Sequence, residues 1–396
     1  MPESKLTCLD LWFRAGSSFE QTGEEGLAHF LEHMVFKGSA CNKAGEFDRK
    51  IEALGGSSNA ATGFDDVHFH VLVPPKVVLS ALELLLDLVL NPSLDTNDYS
   101  TEREVVLEEI AQHNDQPDEK VFQDLLSICW PNHSYGRPIL GLEKTLKTSD
   151  PERMRDFHNR LYIGKNCCLS IAGVIPNNIK TILENSLLSQ LSENSETKCE
   201  YLESPKLIFQ KGRNEINVPR LESSRLLMAW PIGSANDQST IMGADIATSL
   251  FAEGRRSRLI QRLREELQIV ESIDMDVTVL EQGGLILLEA FCKESELCKV
   301  EKEIDKILRQ SLVLPIQKKE LDRAFHLVAN GLCFSLEASS QVASYAGCQN
   351  LWNRQQPLLD PLKYIQYWSE DHLKEKIFTK IQTDLSCTLI ARPCKN

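Results

Sequence analysis

The sequence predicts an α+β protein built from two homologous domains, each a mainly antiparallel sheet covered by helices. Residues 6–14 and 67–73 alternate or run apolar over strand lengths, whereas residues 76–90 repeat their apolar positions with the period of a helix. Each half of the chain shows the order strand, helices, strands, helices, strand. That order is typical of helices packed against an antiparallel sheet.

Two copies of one domain are indicated by an internal repeat. The segment around Trp12 is echoed around Trp230, 218 positions later (230 − 12). The segment around Cys168 is echoed around Cys387, 219 positions later (387 − 168). Two distant matches at nearly one offset predict a duplicated domain. The polar stretch 189–204 is the predicted linker, and it divides the chain into domains of 1–195 and 196–396.

Composition and charge limit the classes of function. A chain of 396 residues with 42% hydrophobic residues suits two or more globular domains with real cores. The net charge of −14 argues against a nucleic-acid partner and mildly favours basic peptides. No apolar run approaches the length of a membrane span, so we expect no membrane partner.

The compartment is predicted from the amino terminus and the cysteines. The first residues contain no charged region followed by an apolar one, so they do not resemble a secretory signal. The twelve cysteines are scattered and form no C-x-x-C pair, which favours reduced thiols over disulfides. We therefore expect a cytoplasmic protein.

The pattern H-x-x-E-H stands at His29, Glu32 and His33, inside residues 26–36. At 100° per residue, the two histidines lie one turn apart on one helix face, with Glu32 pointing between them, so two imidazoles can hold one ion. This is the inverted zinc-peptidase motif. The alternative is a helix that happens to carry two histidines. The opposite face is apolar and consists of Leu27, Phe30, Leu31, Met34 and Val35.

The ends of this helix are predicted as well. Thr22 and Glu25 can form a capping box in front of it. Phe36 flanks the polar stripe at its other end.

A catalytic zinc needs a third protein ligand and an open position for water. The predicted helix 101–110 offers Glu102 and Glu109, which are seven residues apart and therefore share a face. Glu104 and Glu108 fall elsewhere on the helix. The alternative for each carboxylate is a solvated helix face.

With these motifs the chain resembles the pitrilysin/insulinase family of inverted-motif zinc metallopeptidases, in the branch of short subunits similar to mitochondrial processing peptidase. The resemblance spans nearly the whole chain and implies the LuxS/metallohydrolase-like, processing-peptidase type of fold. It implies that Glu109, 76 positions after His33 (109 − 33), completes the ligand set of one zinc ion per chain. It also implies that Glu102 is a further carboxylate that supports catalysis.

The segment 55–62, Gly-Gly-Ser-Ser-Asn-Ala-Ala-Thr, resembles the family's turn into an edge strand that pairs with the substrate backbone. The resemblance implies that Asn59 and Ala60 bind peptide by strand addition. Phe36 is a candidate for lining a side-chain pocket. The alternative for this segment is an ordinary Gly-Gly loop.

The second domain is predicted to hold no metal. The repeat offset carries the histidine motif to residues 248–252, which contain no ligand. The resemblance implies that this domain helps to bind substrate through an arginine, matched by Arg264, and a tyrosine seven residues later, where this chain has Glu271. We therefore expect a heterodimer with a homologous, non-catalytic subunit, with a homodimer as the alternative. Relatives usually carry a strand before the one that begins here at Leu6.

Other candidate sites are weaker. His68 and His70 share one face of a strand, but without a third ligand in reach we expect them to be packing or edge residues. Residues 255–258 are expected to form a solvated helix start.

The predicted activity is zinc-dependent cleavage of peptides or short unfolded polypeptides. Zinc would activate a water, and Glu32 would accept its proton and pass it to the leaving amine. One alternative is a non-catalytic scaffold or substrate-binding subunit of a processing-peptidase-like dimer. Another is a metal hydrolase with a non-peptide substrate, which would have no need of the peptide-binding strand.

Overall fold

The computed structural model describes residues 3–191 and 206–394. The strands are β1 (Thr7–Phe13), β2 (Ser57–Thr62), β3 (Val67–Val73), β4 (Cys167–Ala172), β5 (Gly212–Val218), β6 (Ser224–Ile232), β7 (Ser272–Val279), β8 (Gly284–Cys292) and β9 (Cys387–Pro393).

The α-helices are α1 (Leu27–Val35), α2 (Glu46–Ala53), α3 (Val78–Leu90), α4 (Thr96–Asp115), α5 (Pro117–Cys129), α6 (Glu143–Thr148), α7 (Pro151–Leu161), α8 (Ile179–Glu184), α9 (Gln238–Ala252), α10 (Leu297–Val313), α11 (Lys318–Phe334), α12 (Ser339–Leu351) and α13 (Glu370–Leu373). Two π-helices span Ile260–Glu266 and Lys374–Phe378. The remaining helical segments are 3-10 turns of three or four residues, apart from the eight-residue 3-10 helix Asp360–Tyr367.

The chain forms two compact units. The first contains Met1–His113, Arg137–Ser204 and Ser335–Gln356, and the second contains Asn114–Gly136, Pro205–Phe334 and Pro357–Asn396. Two segments therefore group across the predicted boundary, because α12 packs on β1 and β4 whereas α5 packs on β9. The boundary at 195/196 itself lies outside the described residues, and the division into 1–195 and 196–396 stays a prediction.

The first unit contains an antiparallel sheet with the strand order β2-β3-β1-β4. Alternate residues of β1, such as Leu9 and Leu11, point into a core shared with helices α1 and α3. The other face carries Asp10 and Trp12 and is covered in part by α12. Helix α12 approaches this face closely at Gly347, where a Cβ atom would lie 2.4 Å from Nε1 of Trp12.

The second unit contains a five-stranded sheet with the order β5-β9-β6-β8-β7. Only the β5–β9 pair is parallel among these described strands, and β6, β7, β8 and β9 pair antiparallel. Met228 and Trp230 of β6 are buried in a core formed with residues of α9 and α10. Both sheets are thus mainly antiparallel and covered by helices, which confirms the predicted α+β class.

The sheet register corrects the alignment of the two tryptophans. Cys168 of β4 lies opposite Trp12, whereas Cys387 of β9 lies opposite Ala229. Trp230 therefore corresponds in register to Phe13, and both of these side chains lie in their cores. The match of Trp12 with Trp230 was wrong by one residue, and a slip of one residue moves a strand side chain to the other face.

Among the described residues, no helix has the length and apolar character needed to cross a membrane.

Candidate metal centre

The helix that carries the histidine motif is held at its start by a residue that the sequence did not single out. Gly26 precedes α1 with a φ of 98°, a left-handed conformation that favours glycine. Oε1 of Glu20 accepts hydrogen bonds of 2.9 Å from both the Gly26 and the Ala28 N–H groups. These are donors that the helix itself leaves unpaired.

The predicted capping box of Thr22 and Glu25 is wrong. Thr22 lies in a turn before the helix, because α1 begins only after Gly26. The Glu25 carboxylate instead accepts from the Gly23 N–H at 3.1 Å and from the hydroxyl of Thr145 at 2.8 Å.

Helices α1 and α4 bring together the three predicted ligands. His29 and His33 lie one turn apart on α1, and their ring centroids are 4.7 Å apart. Oε2 of Glu109 on α4 lies 3.8 Å from Nε2 of His29 and 3.4 Å from Nε2 of His33. One donor atom from each residue lies within 4.8 Å of the other two.

This donor set fits zinc. Two imidazoles and one carboxylate form a familiar catalytic zinc triad, and ligand atoms about 2.1 Å from one ion lie about 3 to 3.5 Å apart. Burial, followed by the nearby His33, lowers the pKa of His29 to about 4, so the ring is in the neutral form that binds metal. The Glu109 side chain is 42% exposed, which leaves the cluster open to solvent on that side.

Glu102 is not one of these three donors, but it contacts His33 at the ring nitrogen that does not face Glu109. Its Oε1 lies 2.9 Å from Nδ1 of His33, and its Oε2 lies 2.7 Å from Nζ of Lys37. Only 6% of Glu102 is exposed. Carboxylates in this position fix the orientation of a ligating imidazole and raise its basicity.

Glu32 stands on the same polar face of α1 and is held by β2. The Thr62 hydroxyl donates a hydrogen bond of 2.5 Å to Oε2 of Glu32. Burial raises the pKa of Glu32, and this effect outweighs the opposing influence of the Thr62 hydrogen bond and of His33. A carboxyl group with a raised pKa is suited to exchanging protons near neutrality.

The predicted peptide-binding strand is an edge strand. β2 ends the first sheet and pairs with β3 on one side only. Asn59 is exposed and Ala60 is half-buried. The Ala60 N–H donates to Oδ1 of its neighbour Asn59 at 2.9 Å. A side chain therefore satisfies this backbone donor at the free edge.

The other substrate-binding candidates lie in different surroundings. Phe36 follows α1 and packs at the edge of the core, 6.0 Å from Phe47 and 6.2 Å from Phe69 between ring centroids. Arg264 belongs to the second unit, where its guanidinium donates to Oε1 of Glu265 at 3.0 and 2.9 Å. The roles assigned to Phe36 and Arg264 stay predictions.

Glu271, where the resemblance implies a tyrosine, also belongs to the second unit. Its backbone N–H donates to the carbonyl of Phe291 at 2.7 Å. Its carboxylate accepts from the Ser223 hydroxyl at 2.8 Å.

The sequence interpretation missed three partners at the metal centre and one elsewhere. Thr62, Lys37 and Glu20 act through contacts between elements, for which the sequence offers no periodic signal. The fourth is Asp10, whose Oδ1 lies 2.8 Å from Nδ1 of His68. A single acidic residue in an otherwise apolar strand was the available signal for Asp10.

The fold and the site define a two-domain protein with an inverted zinc-peptidase motif on its first sheet unit. Residues 2–143 match the family model described as insulinase (peptidase family M16), and residues 149–327 match the model described as peptidase M16 inactive domain. The chain belongs to this family, the pitrilysin/insulinase family of the sequence prediction.

Relatives in bacteria carry names of the same kind. A protein of Rickettsia bellii named an uncharacterized zinc protease is 27% identical over 341 residues, which is 85% of this chain and 80% of the relative. The uncharacterized zinc protease YmxG of Bacillus subtilis is 26% identical over 361 residues, 91% of this chain and 87% of the relative.

Solved structures share the fold. A protease from Helicobacter pylori superposes with a TM-score of 0.88 at 22% identity and covers 99% of this chain and 95% of its own. A structure described as a peptidase M16 inactive domain from Pseudomonas fluorescens superposes with a TM-score of 0.87 at 18% identity. The match covers 100% of this chain and 95% of the other.

Proposed function

We propose that this chain is a zinc-dependent endopeptidase that cleaves peptides or short unfolded polypeptides. The observation that supports this most directly is the convergence of His29, His33 and Glu109 beside Glu32. The relatives' names as zinc proteases agree with it. His29, His33 and Glu109 would hold one zinc ion. When bound, zinc supplies a Lewis acid that makes water a better nucleophile and polarises a scissile carbonyl.

Glu32 performs the proton transfers in this proposal. It accepts a proton from the attacking water and delivers it to the leaving amine, so that the cleaved bond does not release an unprotonated amine anion. The Thr62 hydroxyl, 2.5 Å from Oε2, holds the carboxyl group in one orientation. The raised pKa of Glu32 suits both the acceptance and the return of a proton near neutrality.

Glu102 and Lys37 act through His33. The 2.9 Å contact from Oε1 of Glu102 to Nδ1 of His33 fixes which ring nitrogen carries the proton, and it leaves Nε2 free for metal. Lys37 balances the charge of the otherwise buried Glu102 carboxylate. Glu102 is therefore a positioning residue in this proposal.

The edge of β2 favours a peptide substrate over a small molecule. An extended peptide would add as a further strand, replacing the Asn59 side chain as the partner of the Ala60 N–H. Phe36 would contact a substrate side chain. Because the chain has a net charge of −14, peptides of positive charge are the favoured substrates. A cytoplasmic location is also part of the proposal.

Subunit partnership is the second part of the proposal. Glu271 stands where the family has a substrate-binding tyrosine, so a homologous subunit would contribute the arginine and tyrosine that this chain does not supply together. A heterodimer would then be the active form, and a homodimer the alternative. Glu271 also favours a second candidate function, a scaffold or substrate-binding subunit that binds zinc without cleaving peptides.

The test is zinc content together with cleavage of a mixed peptide library. The purified chain is assayed alone and after addition of a homologous subunit that carries the arginine and tyrosine, with Glu32→Gln as the matched inactive control. Cleavage only in the mixture, lost with Glu32→Gln, supports the heterodimer, and cleavage by the chain alone supports the homodimer or monomer. Bound zinc without cleavage in either sample would overturn the peptidase proposal in favour of the scaffold.

A further inference from the structure

A second cluster of metal-ligating side chains lies on the sheet face opposite α1. Asp10 occupies the middle of β1, and His68 and His70 are two residues apart on β3. The strand register places Asp10 directly across from His70 and Trp12 across from His68, so all four side chains share one face. One donor atom each from Asp10, His68 and His70 lies within 4.8 Å of the other two.

The Asp10 carboxylate is buried against one imidazole, with no lysine or arginine paired to it among the described residues. Only 1% of Asp10 is exposed, and among the described residues its side chain contacts Nδ1 of His68 at 2.8 Å. A buried carboxylate is costly unless a cation compensates it. In the part of the chain that the structure describes, no lysine or arginine forms an ion pair with Asp10.

The two imidazoles are arranged beside this carboxylate in a fixed way. The His68 ring stacks on Trp12 at 4.1 Å between centroids with an interplanar angle of 14°, and the His70 ring lies 5.7 Å from the His68 ring at 19°. Among the described residues, neither ring nitrogen of His70 forms a hydrogen bond. The His68 side chain is 16% exposed, whereas the Asp10 side chain is 1% exposed.

We propose that Asp10, His68 and His70 form a second site for a divalent transition metal of the zinc class, separate from His29, His33 and Glu109. Two imidazoles and one carboxylate suit borderline ions such as Zn²⁺ or Co²⁺, whereas Mg²⁺ and Ca²⁺ prefer oxygen ligands throughout. The 2.8 Å between Oδ1 of Asp10 and Nδ1 of His68 is a hydrogen-bond distance, which would widen slightly to the about 3 to 3.5 Å of neighbouring ligands when an ion replaces the shared proton.

The rival interpretations give the cluster a different role. An ion pair of Asp10 with a protonated His68 would use the same contact but would not involve His70. A nucleophile activated by an Asp–His pair would need a hydroxyl or thiol bonded to the ring. Ser170 lies opposite Asp10 on β4, but no hydrogen bond joins it to His68 or His70 within the described residues.

The test removes the first site so that the second can be measured alone. In the double variant His29→Ala/His33→Ala, we expect one equivalent of Co²⁺ to bind, with a visible d–d absorption spectrum, where the unaltered chain takes two. Adding His70→Asn should abolish this binding. Adding His70→Cys instead should preserve it and introduce a thiolate-to-cobalt charge-transfer band. Mg²⁺ serves as the control ion.

Two results would overturn the proposal. One is a folded double variant, checked by circular dichroism, that binds no Co²⁺ or Zn²⁺, which would leave a buried Asp–His ion pair. The other is binding that His70→Asn does not reduce, which would place the metal elsewhere. Because the double variant lacks the first site, neither result bears on the peptidase proposal.

Discussion

Oε1 of Glu102 lies 2.9 Å from Nδ1 of His33, while Nε2 of the same ring faces Oε2 of Glu109 at 3.4 Å. One imidazole is thus held between two carboxylates of α4 that are seven residues apart. The sequence predicted that both carboxylates lie on one helix face, and each of them contacts a different nitrogen of the His33 ring. Glu109 faces the candidate zinc position, and Glu102 orients the ring.

The first prediction concerns Glu102→Ala. Loss of the carboxylate frees the His33 ring and leaves Lys37 unpaired, so we expect zinc affinity to fall by about 10-fold to 100-fold. The cleavage rate should fall in zinc-limited buffer and recover at saturating zinc. If the substitution slowed the catalytic step itself, saturating zinc would not restore the rate. A zinc titration against a competing chelator measures the affinity. Glu104→Ala is the control, because this side chain on the same helix is 67% exposed. Unchanged affinity in Glu102→Ala would remove its positioning role.

The second prediction separates proton transfer from metal binding. Glu32→Gln should retain zinc and lower kcat by a factor of about 100 to 10,000, because the amide cannot accept a proton. Thr62→Val, which removes the 2.5 Å hydrogen bond to Glu32, should retain zinc and lower kcat less. Glu109→Gln should weaken zinc itself. Equal zinc loss in Glu32→Gln and Glu109→Gln would contradict these roles.

How far the sequence predicts this site depends on the range of each contact. Helical spacing placed His29, Glu32 and His33 on one face, and the same argument grouped Glu102 with Glu109. These are contacts within a helix, where spacing alone decides which side chains are neighbours.

Contacts between strands were beyond the reach of spacing. Alternation showed that His68 and His70 share a face, but Asp10 joins them only through the register of β1 against β3. The same limit produced the wrong match of Trp12 with Trp230. Alternation determines which residues share a face, but it does not determine which residue lies opposite which.

The third prediction tests the edge strand. Ala60→Pro removes the one N–H that Asn59 caps, and proline is tolerated on an edge strand. We expect KM for peptides to rise roughly fivefold to tenfold, the equivalent of about 1 kcal/mol for one hydrogen bond, with zinc content unchanged. Asn59→Ala is the matched variant, since it exposes the same N–H and should leave KM equal or lower. A higher KM in Asn59→Ala alone would mean that the side chain, not the backbone, contacts substrate.

The fourth prediction concerns Glu271→Tyr, which places a tyrosine seven residues after Arg264, as the resemblance to the family implies. If the chain supplies its own substrate contacts, kcat/KM for the chain alone should rise several-fold, which is the effect expected of about one additional hydrogen bond to the substrate. Glu271→Gln, which also loses the charge but adds no phenol, is the control and should not show the rise. No gain in Glu271→Tyr, together with activation by an added homologous subunit, would mean that the partner provides this pair.

The last prediction is a pH dependence that originates at the start of α1. Burial raises the pKa of Glu20 from 4.5 to about 8, although the Gly26 and Ala28 N–H groups oppose this by donating to its carboxylate. Between these values the folded protein keeps a proton that the unfolded chain has lost. The contribution of Glu20 to the free energy of unfolding should therefore be fully present below the unfolded pKa and decline as pH rises through the folded one.

Glu20→Gln cannot lose a proton, so its Tm should not share this decline. We expect the unaltered chain to lose several degrees relative to Glu20→Gln between pH 5 and pH 8, measured by thermal unfolding with a chelator in both samples. Glu25→Gln is a control of opposite sign. Burial raises the pKa of Glu25, but its hydrogen bonds from Gly23 and Thr145 lower it on balance, so its stabilisation is lost as pH falls. Parallel Tm curves for the unaltered chain and Glu20→Gln would show that Glu20 is ionised in the folded protein throughout this range.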